Sequence, residues 1–184
     1  MTIDHLSFGT HDIAATRTFY AERLGFPVLI HERMLIREGG TVEHIFFDCG
    51  GDCALAFMQW QNVPGVSGAY DCGINRGLGV PRGTFHFALW CVSQGALEQR
   101  RQELIAAEVL VGDLLDLDPY RSFFFDDPVN GLRLEYTTRL RLPGATDRDP
   151  EQRQFPASLG LFENAARPLI QARQESIQPP VALE

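Results

Sequence analysis

Residues 3–10, IDHLSFGT, alternate apolar with small or polar side chains, the period-two pattern of a half-buried strand. Asp12 then stands where a helix N-cap belongs, and Ile13, Phe19, Tyr20 and Leu24 recur at roughly helical spacing until Gly25 stops the run. Three strand-like runs follow, at about 27–36, 43–49 and 53–60, with Gly39-Gly40 and Gly50-Gly51-Asp52 as turns between them. Residues 61–83 are glycine-rich and aperiodic, which predicts a linker or a loop across a cleft. A second round then begins. TFHFALWCV (84–92) reads as a strand, and residues 95–108 read as an amphipathic helix anchored by Leu97, Leu104 and Ile105. Further strands are expected near 109–115, 121–126 and 132–140, with Asp126-Asp127-Pro128 and Asn130-Gly131 making the last turn.

The order strand, helix, three strands therefore occurs twice, as an internal repeat. Setting His5 on His86, an offset of 81, also sets Leu6 on Phe87 and Phe8 on Leu89. Near the end of each half, NGLRLEY (130–136) falls on GDCALAF (51–57) at an offset of 79, which places Glu135 on Ala56. The predicted class is α+β, two βαβββ modules forming a curved mixed sheet. The first module spans 1–62, a linker loop 63–83, the second module 84–140 and a C-terminal extension 141–184. Within that extension, LFENAARPLIQARQ has the makings of a short helix that Pro168 either interrupts or opens from its first turn.

Residues two apart on a strand share a face. His5 then shares its face with Ser7, His86 with Ala88 and Trp90, and Glu135 with Arg133 and Thr137. The opposite faces carry Leu6 and Phe8, Phe85, Phe87 and Leu89, and Leu132 and Leu134, which suit packing against helices. Two imidazoles and one carboxylate are a common donor set for a divalent metal, with positions left open for substrate, water or dioxygen. His5, His86 and Glu135 are the predicted metal ligands. His44, on a strand that can face the same cleft, is a candidate general base. Tyr120 and Arg121 are candidate donors to an anionic oxygen. Trp90, Phe46, Phe57 and Met58 are candidate walls of an apolar pocket, with core packing as the plainer reading. His11 and His31 are expected at the surface.

Bulk properties narrow the class. The 184 residues carry a net charge of −8 with scattered basic residues, which argues against nucleic acid as a partner. No run approaches 18 apolar residues, and the N-terminus lacks a basic region followed by an apolar stretch, so neither a membrane span nor a secretory signal is expected. Among Cys49, Cys53, Cys72 and Cys91 no CxxC occurs and the lone CxxxC, Cys49 with Cys53, has no second pair to complete a zinc site, so all four read as reduced thiols of a cytoplasmic protein.

The segments IDHLSFGTHDIAATRTFYAERLGFPV (3–28), TFHFALWCVSQGALEQRRQEL (84–104) and FFFDDPVNGLRLEY (123–136) together resemble the vicinal oxygen chelate superfamily. That superfamily includes glyoxalase I, extradiol dioxygenases, methylmalonyl-CoA epimerase and the fosfomycin- and bleomycin-resistance proteins. The resemblance covers about 3–140. It implies paired βαβββ modules around one divalent metal per site, held at the positions of His5, His86 and Glu135, and a homodimer acting on a small-molecule substrate. Fe2+ or Mn2+ suits a dioxygenase outcome, which is narrowly preferred; Zn2+ or Ni2+ suits a lyase, isomerase or thiol transferase. The fourth ligand of glyoxalase I and the epimerase falls on Ala56, which cannot ligate, and Gln59 lies on the opposite face. The His and Tyr of the extradiol pattern are not matched near Glu135, where Tyr120 is displaced. A metal-free binding protein, resembling the bleomycin-binding members, is the alternative of a different class.

Overall fold

A computed structural model describes residues 3–148. The first module opens with strand β1 (His5–Gly9). The Asp12 side chain accepts from the Ala15 amide at 2.9 Å, capping helix α1 (Ile13–Arg17). The helix continues as a π-helical turn, Thr18–Arg23. Ile13, Phe19, Tyr20 and Leu24 are all buried, as their spacing predicts. Gly25 follows with φ of 70°, a left-handed position that suits a residue without a Cβ. Strands β2 (Val28–Leu35), β3 (Thr41–Asp48) and β4 (Ala54–Gln61) complete the module. The sheet order is β1-β4-β3-β2, with β1 parallel to β4 and the other pairs antiparallel.

The second module repeats the plan. Strand β5 (Phe87–Trp90) leads to α3 (Gln94–Ala106), β6 (Leu115–Asp116), β7 (Tyr120–Asp126) and β8 (Arg133–Arg139), in the order β5-β8-β7-β6. This is the α+β architecture of two βαβββ modules that the repeat predicts.

Three local expectations change. The strand predicted near 109–115 shrinks to Leu115–Asp116 plus a single bridge from Val111 to Phe125. The stretch lacks sustained alternation: Gly112-Asp113 interrupts it and two leucines follow in succession. Ile105 is 44% exposed, whereas Leu97 and Leu104 are fully buried. Positions seven apart lie on one helical stripe, and the next residue turns about 100° away. Finally, the segment between the modules holds a short helix, α2 (Ile74–Leu78). Its Asn75 donates to the carbonyls of Arg82 and Phe85 at 2.8 and 2.7 Å and accepts from the Phe85 amide, fixing the approach to His86. Residues 141–148 end in a 3-10 turn, Thr146–Arg148, and the helix considered within 161–174 lies outside the described residues.

The helix-facing sides of both sheets share one core. Ile45, Phe47, Leu55 and Phe57 come from the first sheet, and Phe123, Phe125, Leu134 and Tyr136 from the second. Tyr20, Leu97 and Leu104 pack into the same core. Polar bonds cross it. Arg23 donates to the Ala107 carbonyl at 2.7 Å, and Tyr20 donates to Asp127 at 3.0 Å. Asn130 donates to Thr16 at 3.2 Å. Among the described residues no helix is long and apolar enough to cross a membrane, and the four cysteines are free thiols.

Burial holds the Tyr136 phenol up to about 12 and raises Tyr20 well above its ordinary value, with the neighbouring Asp127 adding to the effect. Both rings favour the neutral form when folded. Their contribution is therefore full below the unfolded tyrosine value near ~10 and is lost as pH rises toward ~12. For Tyr136 that difference is worth roughly 2–3 kcal/mol. The expected result is alkaline unfolding in this window, with ionisation of these two rings at 295 nm coinciding with loss of the circular dichroism signal. Ionisation of all four tyrosines well before any unfolding would contradict it.

Candidate metal centre

The sheet registers set which side chains share a face. Ser7 pairs with Ala56 in the first module, and Ala88 pairs with Glu135 in the second. Ala56 and Glu135 thus occupy equivalent places, as the repeat alignment has them. His5 and Ser7, Ala56 and Met58, and His44 and Phe46 lie on one face of the first sheet. On the second sheet the matching face carries His86, Ala88 and Trp90 and, from β8, Arg133, Glu135, Thr137 and Arg139. Phe124 and Tyr120 join them from β7. Both faces lie away from the shared core, and His5, Ser7, His86, Ala88 and Trp90 are open to solvent in the single chain.

Two of the three predicted ligands meet. The Nε2 of His86 lies 3.2 Å from Oε2 of Glu135. The Glu135 side chain is nine-tenths buried, between Ala88 on β5 and Phe124 on β7. Burying a carboxylate is costly unless a cation or donor faces it, and His86 is that partner. The Nδ1 of His86 lies 2.8 Å from the Gly83 carbonyl. In the neutral ring this contact keeps the proton on Nδ1 and leaves the Nε2 lone pair directed at the carboxylate side. The Glu135 hydrogen bond raises the imidazole above its usual range, the Gly83 carbonyl adds to this, and burial opposes it.

The third sits in the other sheet. His5 Nδ1 lies 2.6 Å from Asp4 Oδ1, and its ring meets Phe46 edge-on at 5.4 Å. The His44 ring packs on the same Phe46 at 4.3 Å. Its Nδ1 lies 3.6 Å from Glu32, and its Nε2 is buried without a partner. Burial lowers the His44 imidazole, His5 lowers it further, and Glu32 works the other way. Among the described residues no three His, Cys, Asp or Glu side chains of one chain converge closely enough to hold a metal.

The donor chemistry nevertheless fits a divalent cation. His5 and His86 each have Nδ1 held by an acceptor, Asp4 or a backbone carbonyl, so each presents Nε2. This is the outer hydrogen bond that orients a ligating imidazole.

The other candidates separate. Tyr120 lies on the Glu135 face, next to Arg139. Arg121 does not: its guanidinium turns to the helix side, contacting Gln94 and Glu98 at 3.1 Å and Asp116 at 3.0 Å. Consecutive strand residues point to opposite faces, so Tyr120 and Arg121 cannot both reach the site. Phe57 is likewise a core residue, fully buried, whereas Phe46 and Met58 share the face of His5. Gln59 caps α1 from the opposite face, accepting from the Ile13 amide and donating to the His11 carbonyl. His11 and His31 are exposed. Arg139 shares one face with Thr137 and Glu135, at two-residue spacing along β8. A groove of about 840 Å³ wraps the outer edge of β7, with Phe124 and Arg133 from the Glu135 face and Phe19 and Arg23 from the first module.

Comparison with protein families matches residues 2–136 to the Glyoxalase/Bleomycin resistance protein/Dioxygenase superfamily. Among curated proteins none matches. A glyoxalase/bleomycin resistance protein/dioxygenase from Nocardioides is similar in structure, with a TM-score of 0.54 at 21% identity over 85% of this chain and 90% of that one. A domain of the same description from Frankia sp. EAN1pec aligns with a TM-score of 0.55 at 17% identity, over 76% and 98%. TnmS3, an antibiotic binding protein from Streptomyces sp. CB03234, aligns at 0.52 and 17%, over 76% and 96%. At these identities the structures establish the fold alone.

Proposed function

The chain belongs to the Glyoxalase/Bleomycin resistance protein/Dioxygenase superfamily, and on that premise we propose that it is a metal-dependent enzyme acting on a small organic substrate that chelates through two neighbouring oxygens. The observation that carries this reading is the buried Glu135 carboxylate facing His86 Nε2 at 3.2 Å, with Nδ1 of the same ring held by Gly83. His86 and Glu135 hold the metal together with His5. Because the two ligand faces lie away from the shared core and open to solvent, a second copy supplies the facing sheet. A two-fold pair sets the His5 face of one copy against the Glu135 face of the other, giving two equal sites.

A divalent metal bound there supplies Lewis-acid polarisation of the substrate oxygens and, if it is iron, access to dioxygen chemistry. The chain's own groups do the rest. His44, whose imidazole burial lowers, is placed beside His5 to accept a proton. Tyr120 offers a hydroxyl donor on the Glu135 face. Phe46, Met58 and Phe124 limit water around the reacting oxygens. A dioxygenase reaction is narrowly preferred over a lyase or isomerase, because Ala56 stands where a fourth ligand would come from the first module.

Elemental analysis of the purified protein, wild type and His5→Ala, together with oxygen uptake on catechol-type and 2-hydroxy-ketone substrates, tests the reading. About one equivalent per chain, lost in the variant, is expected. Oxygen uptake would favour the dioxygenase; turnover without it would favour the lyase or isomerase. A wild type that holds no metal after reconstitution with Fe(II), Mn(II) or Zn(II) overturns the enzyme reading in favour of a metal-free binding protein.

A further inference from the structure

Arg139 lies at the end of β8, two strand steps beyond Glu135 on the same face. Its guanidinium carbon sits 5.0 Å from the centre of the Trp90 ring. Trp90 is itself 51% exposed, unusual for so large an apolar group. Most described arginines are taken up by carboxylates: Arg23 by Glu108, Arg76 by Asp71, Arg101 by Asp113, Arg121 by Glu98 and Asp116, and Arg133 by Asp126. No carboxylate among the described residues lies within ion-pair reach of Arg139, in a chain whose net charge is −8.

The placement over the ring matters. A guanidinium held over an indole by cation–π attraction spends no N–H on a carboxylate, so its donor edge stays available. That edge is the fork that grips a carboxylate with two parallel bonds. Tyr120 is the cross-strand neighbour of Arg139 and adds a phenolic hydroxyl on the same face. The indole beside them offers a flat apolar surface to a ring. His86 and Arg133 lie at the other end of this face, because β5 and β8 run parallel. Four residues of strand put the Cα atoms of Glu135 and Arg139 about 13 Å apart. The cluster therefore addresses a part of the substrate remote from the reacting oxygens.

We propose that Trp90, Arg139 and Tyr120 form a subsite for the carboxylate and ring of an aromatic acid, so that the substrate class is an anionic aromatic compound. Assigning this ligand to the substrate rests on the metal-centre reading above; the subsite itself does not.

The test is calorimetric titration of the full chain with 2-naphthoate and with its neutral amide, 2-naphthamide, in EDTA and again after Mn(II) loading. Naphthoate is expected to bind in both conditions, about tenfold or more tighter than the amide. Arg139→Met is expected to weaken naphthoate about tenfold and leave the amide unchanged, with Arg139→Lys in between because it keeps the charge and loses the fork. Arg139 is exposed, so neither variant disturbs the core, and an unchanged far-UV circular dichroism spectrum checks this. Equal binding of acid and amide, no naphthoate binding in EDTA, or Arg139→Met binding naphthoate like wild type would each overturn the subsite. Naphthoate binding through Arg139 by a protein that takes up no metal would uphold the subsite while the enzyme reading fails.

Discussion

Asp127→Ala is expected to lower the stability to unfolding by roughly 3–5 kcal/mol, the largest loss for any single polar substitution here. Asp127 is 1% exposed. Its Oδ1 accepts from the amides of Val129 and Asn130 at 2.8 and 3.1 Å. Its Oδ2 accepts from Asn130 Nδ2 at 2.8 Å and from the Tyr20 hydroxyl at 3.0 Å. Truncation takes this acceptor from two backbone amides, the Tyr20 hydroxyl and one Asn130 N–H, and each loss costs about 1–3 kcal/mol less whatever relaxation and the remaining Asn130–Thr16 bond recover. Two of them, Tyr20 and Asn130, join the first helix to the turn before β8, so the loss also loosens the seat of Glu135. Asp127→Asn keeps one acceptor and should cost less. Tyr20→Phe removes one bond and keeps the ring, and should cost roughly 1–2 kcal/mol. Denaturant unfolding of the three variants checks the order. Equal losses for Asp127→Ala and Tyr20→Phe would show that the backbone donors find other partners.

The second large effect concerns affinity for metal. Glu135→Gln keeps the volume and removes the charge. The expected result is a loss of at least about 100-fold in Mn(II) or Fe(II) affinity, beyond the ~10–100-fold typical of losing an outer hydrogen bond. In the metal-free protein the same change removes the main cause that raises His86, so its imidazole should titrate lower than in wild type. Metal at about 100 times the dissociation constant stabilises a protein by about 2.7 kcal/mol. Wild type should therefore gain thermal stability on metal addition, and the variant should not. A variant that is stabilised like wild type would remove Glu135 from the ligand set.

The helix positions show how far local pattern reaches. Ile13, Phe19, Tyr20 and Leu24 are buried where their spacing puts them, although a π-helical turn lies between the first and the last. Their shared stripe survives because the core demands it. Residues 109–115 lack such a stripe, and only a bridge and a two-residue strand form there. The equivalence of Ala56 and Glu135 was legible from the internal repeat, whereas the registers that pair them with Ser7 and Ala88 came only from the structure. Arg121 was misplaced because type and position along the chain suggested an anion donor, while strand parity decided its side.

The sequence by itself determined the repeated βαβββ order, the capped helix after Asp12 and the faces on which His5, His86 and Glu135 lie. These follow from periodicity, which is a property of neighbours along one strand or helix. Only the tertiary structure decided that His86 meets Glu135 while His5 stays beside His44 and Phe46 in the other sheet. It alone decided that both helix sides share one core, which leaves both ligand faces open. It alone laid Arg139 on Trp90. Each of these depends on how separate elements meet in space, and hydrophobic periodicity says which face an element buries without saying against what.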